Sequence, residues 1–218
     1  MKNTTLCYTL ILSISLVVFT SASSAQMRSG KLGIGAEGSL YLFNDNLSDG
    51  LMKGGGGITL SYSAMEYLGI RAMFGAGQLG WKDQLDPYTN TTTLLSANLY
   101  LSFDMIPQGT FNPFIFAGVG GIYFDPRTDG GVDFGGNFQR ADVNLLGGVG
   151  FDYFFSEFVS MTVSGEYAMT TTDKLDAAKH LGTSESYSRV NLEFRYYFFD
   201  QDYVTKLIKA LQARYRGK

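Results

Sequence analysis

Five ionisable residues stand where they can do chemistry together: Glu37, Arg71, Glu166, Glu193 and Arg195. Each lies in a segment whose side chains alternate apolar and polar, and each falls on the polar side. In RVNLEFRYYFF, residues 189 to 199, Val190, Leu192, Phe194, Tyr196 and Phe198 alternate with Arg189, Asn191, Glu193 and Arg195. A period of two is a strand with two unlike faces. Acids and bases on one such face make either a charged, gated passage or a set of structural ion pairs. If the first and last segments close on each other, a Glu37–Arg195–Glu193 cluster is expected, although shear displaces such pairings by several residues. The interior of an eight-stranded barrel is just wide enough for side chains to fill it, which favours ion pairs over a pore.

Other constellations carry less. His180, the chain's one histidine, lies near Ser184, Glu185 and Ser186, a composition from which a hydrolytic site can be assembled. The stretch is polar and reads first as a solvated loop. Asp125, Asp129 and Asp133, with Asp45 and Asp49, are spaced unlike a calcium-binding helix-loop-helix, and acidic residues are common in turns. GIGAEG (33–38) and GAGQLG (75–80) match a dinucleotide fingerprint, but neither opens a helix after a strand as that fingerprint requires. Glycines spaced to leave interior room explain both better. No catalytic residue, cofactor or metal is assigned.

The elements that must position these residues are eight alternating segments: 31–43, 55–63, 67–79, 92–105, 113–124, 139–153, 158–170 and 189–199. Connections after the second, fourth and sixth are short. Those after the first, third, fifth and seventh are longer and rich in Asp, Gly, Asn and Thr. Short turns at one end and long loops at the other are the pattern of a transmembrane barrel. One face carries residues such as Ile34, Leu60, Phe74, Leu99, Val149 and Leu192. The other carries Gly33, Gly35, Ser39, Thr59, Asn98, Asn144 and Ser164 beside the five charges. As a water-exposed surface the second face is poor, since no lysine occurs between Asp83 and Asp173. As an interior it makes sense, because glycine and serine leave room for a few paired charges. Aromatics near segment ends (Tyr41, Phe43, Tyr62, Tyr67, Trp81, Phe103, Phe114, Phe124, Phe151, Phe158 and Phe198) suit interfacial girdles. Closure is required in lipid, where an open sheet edge would leave backbone groups unsatisfied. The fold class is therefore all-β: an eight-stranded antiparallel up-and-down transmembrane β-barrel with a short C-terminal amphipathic helix.

The ends differ from this core. Residues 1–25 read as a signal peptide: Lys2 in a short n-region, the apolar run LCYTLILSISLVVF, and small Ser23 and Ala25 before Gln26. The lone cysteine, Cys7, falls inside it, so the mature chain offers no thiol for a disulfide or metal. Loss of Lys2 leaves 16 basic and 20 acidic side chains of the 17 and 20 in the whole chain, a balance that does not suit nucleic acid. The barrel spans 26–199. Residues 200–218 form a basic tail on the periplasmic side, with Val204, Leu207, Ile208, Leu211 and Tyr215 at helical spacing.

The pieces PFIFAGVGGIYF, LLGGVGFDYFFSEFVSMTVSGEYAM and RVNLEFRYYFF resemble the small outer-membrane β-barrel family that includes the OmpA transmembrane domain and OmpX, over roughly residues 31–199. The resemblance implies eight antiparallel strands in the outer membrane of a Gram-negative bacterium, in a porin-related family. It also implies that the terminal aromatics Phe198 and Phe199 are read by the barrel-assembly machinery. The expected partners are outer-membrane lipid and lipopolysaccharide, that machinery, and a host or cell-surface ligand at the long loops, with the barrel a monomer. The leading function is non-enzymatic: envelope integrity and surface-loop contact or adhesion. A lipid A deacylase, as some small outer-membrane barrels are, and a narrow channel for small solutes are the alternatives.

Overall fold

The computed structural model describes residues 29–44, 48–83, 89–128, 140–171, 175 and 185–200. The alternating segments fold as strands: β1 Lys31–Asn44, β2 Ser48–Leu51, β3 Lys53–Ser63, β4 Leu68–Asp83, β5 Thr89–Asp104, β6 Phe111–Thr128, β7 Ala141–Phe154, β8 Val159–Thr170 and β9 Ser186–Asp200. β2 and β3 are two pieces of one stave interrupted at Met52, so nine strands build an eight-staved wall. Every pairing is antiparallel. β9 returns to β1, and β4 pairs with β5, which closes the sheet on itself.

Tight turns join β3 to β4, β5 to β6 and β7 to β8. In the last, Ser156 Oγ accepts hydrogen bonds from the N–H groups of Phe158 and Val159 at 3.3 and 3.2 Å, a hydroxyl doing the work of a backbone turn. In the middle one, Asn112 Oδ1 accepts from Ile106 N–H at 3.1 Å.

Several strands outrun the periodic segments. Residues Asp125–Thr128 belong to β6 and Gly80–Asp83 to β4 although they read as loop, and β2 forms inside the expected loop NDNLSDGLMK. Their sequence lacks the apolar alternation because these parts overrun the apolar belt, where a strand needs no side chain facing hydrocarbon. Backbone pairing alone extends them: Lys82 pairs with Thr89, and Asn90 with Thr128.

The wall is turned inside out relative to a soluble barrel. Ile34, Leu60, Phe74, Leu99, Val149 (62 % exposed) and Leu192 face outward, while Thr59, Asn98, Asn144, Glu193 and Arg195 are buried. A continuous apolar belt of this kind far exceeds the few hundred Å² that a soluble monomer exposes, and closure satisfies the backbone within it. The apolar belt is the lipid-facing surface.

The aromatics divide differently from the expected girdles. Tyr62, Tyr67, Phe103, Phe158 and Phe198 are exposed near the periplasmic rim, but Tyr41, Phe43, Trp81, Phe114 and Phe124 turn inward and are buried. Their position near strand ends was read correctly and their face was not: each has the parity of the polar residues on its own strand. Glycines opposite them provide the space. A Cβ on Gly77 would stand 2.5 Å from the Tyr41 ring, and one on Gly35 would collide with the Glu193 carboxylate and Thr59.

Candidate functional site

The lumen is the place where ionisable residues converge, and it is filled in three layers. Nearest the periplasm, Arg195 lies between Glu193 and Tyr197 on the inward face of β9. Its Nε and Nη2 donate to Glu193 Oε1 and Oε2 at 2.8 and 2.7 Å, and its Nη1 to the Tyr197 hydroxyl at 3.0 Å. Such a side-on fork matches guanidinium to carboxylate geometry. Asp152 stands 3.9 Å from Arg195 Nη1 and accepts from Thr162 Oγ1 at 2.5 Å. Thr59 also donates to Glu193. Arg71 approaches Glu193 more loosely, at 3.7 Å, with its guanidinium 5.1 Å from the centre of the Phe114 ring. Below, Phe154 and Tyr197 stack at 5.8 Å.

The middle layer is organised by Arg189. Its Nη2 donates to Glu166 Oε2 at 2.9 Å and to the Tyr100 hydroxyl at 2.8 Å; its Nη1 reaches Glu37 Oε1 at 3.3 Å and the Tyr41 hydroxyl at 3.4 Å. Ser39 adds a hydrogen bond to Glu37 at 3.3 Å. Asn98 Nδ2 and Asn144 Nδ2 donate to the Tyr100 and Tyr187 hydroxyls at 3.0 and 3.1 Å. One arginine thus ties β1, β5, β8 and β9 together across the lumen.

Toward the cell exterior the filling becomes apolar. Phe43 packs on Trp81 at 5.7 Å, among buried Leu79, Leu94, Ile122 and Phe124. Leu175 joins them, its C=O accepting from Thr92 Oγ1 at 2.5 Å and its N–H donating to Glu185 Oε2 at 2.6 Å. Alternation alone did not reveal this apolar cap, because Phe43, Trp81 and Phe124 read as girdle and Leu175 as loop.

All five charged residues singled out from the sequence face this lumen, but as two groups. Glu37 and Glu166 meet through Arg189; Glu193, Arg195 and Arg71 form the other. Of the expected Glu37–Arg195–Glu193 cluster the Arg195–Glu193 pair is formed, and Glu37 turns to Arg189 instead. Glu37 is in register with Glu193, a like charge, and Arg195 is occupied by its fork to Glu193 and by Tyr197. The register places Arg189 opposite both Glu166 and Tyr41, from where it reaches back to Glu37. Arg189, Asp152 and the tyrosine hydroxyls were missed as site residues. Parity could have found Arg189, since it shares a face with Asn191, Glu193 and Arg195.

One cavity of about 20 Å³ lies between the two charged layers and a second of about the same size at the periplasmic mouth, each with room for a single water. Arg71 borders both, with Glu37, Glu166 and Arg189 on one side and Asp152 and Tyr197 on the other.

The remaining candidates are placed as follows. Phe198 is exposed on the lipid side, and Phe199 pairs with Leu32 in the sheet. Ser186 Oγ accepts from the Tyr167 hydroxyl at 2.8 Å and donates to Asn44 O at 3.3 Å, so it and Glu185 brace the start of β9. Asp125 is taken by Arg127 and Arg140 at 2.8 and 2.6 Å. Residues 1–28, Asp45, Asp129, Asp133, His180, Ser184 and the tail from 201 lie outside the described residues.

A closed eight-staved wall with an apolar exterior, a charged and paired interior and tight turns at one end defines a transmembrane β-barrel of the outer-membrane kind. The chain belongs to the outer membrane protein beta-barrel domain family, whose model matches residues 11–198, and its place is the outer membrane. Two solved structures share the fold. Neisserial surface protein A superposes with a TM-score of 0.56 at 15 % identity, covering 77 % of this chain and 97 % of that one. OprG of Pseudomonas aeruginosa gives 0.51 at 17 % identity, covering 81 % and 99 %. No curated protein sequence matches the chain.

Proposed function

We propose that this protein is a non-enzymatic, monomeric barrel that stabilises the outer membrane and carries four surface loops for contact or adhesion. The observation that supports this reading most is the filled lumen. Among the described residues, two ion-pair layers and an apolar cap fill the interior, with cavities of about 20 Å³ between the charged layers and at the periplasmic mouth. Charges that neutralise one another inside leave the loops as the part of the molecule open to a partner. A hydrolytic centre needs a nucleophile with a free base beside it. Ser186 and Glu185 are instead engaged in holding β9 and Leu175.

The test is to replace the four long connections by tight turns, one at a time, in the full-length protein. Binding to a host-cell or bacterial surface should fall for at least one replacement, while heat-modifiable migration on a gel stays. Unaltered binding by all four replacements would remove the contact role. A change in the lipid A mass spectrum on deletion of the gene would move the reading to a lipid-modifying enzyme.

A further inference from the structure

The basic side chains of the described residues sort into two sets. Lys31, Arg71, Arg189 and Arg195 belong to the lumen and its periplasmic mouth. Lys53, Lys82, Arg127 and Arg140 instead gather on the outward side, where β4, β5 and β6 overrun the lipid-facing belt toward the cell exterior. The register fixes their arrangement. Gly80, Thr91 and Arg127 form one row across three strands. Gly80 has no side chain, and Lys53 lays its stem in that gap, its Cγ and Cε 2.9 and 2.7 Å from where a Cβ would stand. One step outward, Lys82 sits in register with Asp49 and Thr89. One step inward, Asp125 clamps Arg127 and Arg140 side by side at 2.8 and 2.6 Å. The next row is apolar, with Leu95 in register with Tyr123 and Tyr123 with Ala141.

Among the described side chains, four cations thus face two carboxylates, Asp49 and Asp125, just beyond the lipid-facing belt, at the level of the headgroups. Arg127 keeps 58 % of its side chain exposed. Asp125 holds Arg127 by its Nε and Nη2 edge and so fixes its orientation, and the exposed terminal nitrogens of the guanidinium can donate to phosphate oxygens. The cluster occupies one panel of the wall, so it is a localised site and not a uniform charged collar. Below it Leu95, Leu99 and Tyr123 offer an apolar track for acyl chains.

We propose that this panel binds the phosphate groups of a phosphorylated glycolipid of the outer leaflet, with Arg127 and Lys53 as its principal donors. The experiment is native mass spectrometry of the purified full-length barrel with bisphosphorylated lipid A, dephosphorylated lipid A, phosphatidylglycerol or inorganic phosphate added. Wild type should retain bisphosphorylated lipid A in preference to the dephosphorylated form. The Arg127→Gln, Lys53→Gln double variant, checked as folded by heat-modifiable migration, should lose retention by roughly tenfold or more. Equal retention of the two lipid A forms by wild type would overturn the proposal, and that comparison holds even if the variant does not fold. So would unchanged retention by the folded variant, or displacement of the lipid by millimolar inorganic phosphate, which would make this a free-phosphate site. Equal binding of phosphatidylglycerol would replace the glycolipid by any anionic lipid and likewise refute it.

Discussion

Replacing Arg189 by leucine removes the cation that stands within ion-pair distance of both Glu166 (2.9 Å) and Glu37 (3.3 Å). The two carboxylates have side chains only 1 % and 6 % exposed, so they are left charged and unpaired inside the wall. Breaking a buried pair from one side costs about 3–5 kcal/mol. The Tyr41 hydroxyl loses the Arg189 donor and Tyr100 keeps only the one from Asn98, while the adjoining cavity of about 20 Å³ lets a water reach the site and holds the cost toward the lower end. With a urea slope of roughly 2 kcal/mol per molar, the unfolding midpoint in lipid vesicles should fall by about 2 M. Trp81, the single tryptophan of the chain and buried in the apolar cap, reports the transition by fluorescence. Adding Glu37→Gln and Glu166→Gln should restore most of the loss, because the stranded charges are then gone. A midpoint within about 0.3 M of wild type for the single variant, or no recovery in the triple, would refute the reasoning.

Arg195→Ala should destabilise more than Arg71→Ala in the same urea assay, since Arg195 makes a two-bond fork to Glu193 at 2.8 and 2.7 Å while Arg71 stands at 3.7 Å; equal effects would contradict the layered assignment. Gly77→Ala should cost about 1–3 kcal/mol by pressing on the Tyr41 ring, whereas Gly38→Ala, whose Cβ meets nothing within 4 Å, should leave the midpoint where it is. Brominated acyl chains in the bilayer should quench Trp81 weakly, and a tryptophan placed at Tyr123 in a Trp81→Phe background strongly, because the first faces the lumen and the second the lipid. Similar quenching of both would mean that Trp81 belongs to the girdle after all.

How much of this was legible in the residues can be judged from particular ones. Val190, Leu192 and Phe194 against Asn191, Glu193 and Arg195 gave both the strand and its polarity, because period two and lipid exposure act on every residue of a spanning stave. The tight turns were readable for the same reason: polarity stops where the membrane stops. Partner choice inside the lumen was not readable. It depends on stagger between strands, which moves Arg189 opposite Tyr41 and Glu166 and leaves Glu37 opposite Glu193. The apolar cap was hidden because Trp81, Phe43 and Leu175 are as fit for lipid or loop as for a lumen. β2 was hidden because SDGL carries turn residues yet is held by pairing to β4.

The central claim, that the side chains of the lumen close it, is tested most directly by single-channel recording of the full-length protein in planar bilayers at high salt. A silent baseline is predicted, with heat-modifiable migration of the same preparation proving that the barrel is folded. Reproducible conductance steps from the folded protein would contradict the account and make the Glu37, Glu166 and Arg189 layer a passage rather than a seal.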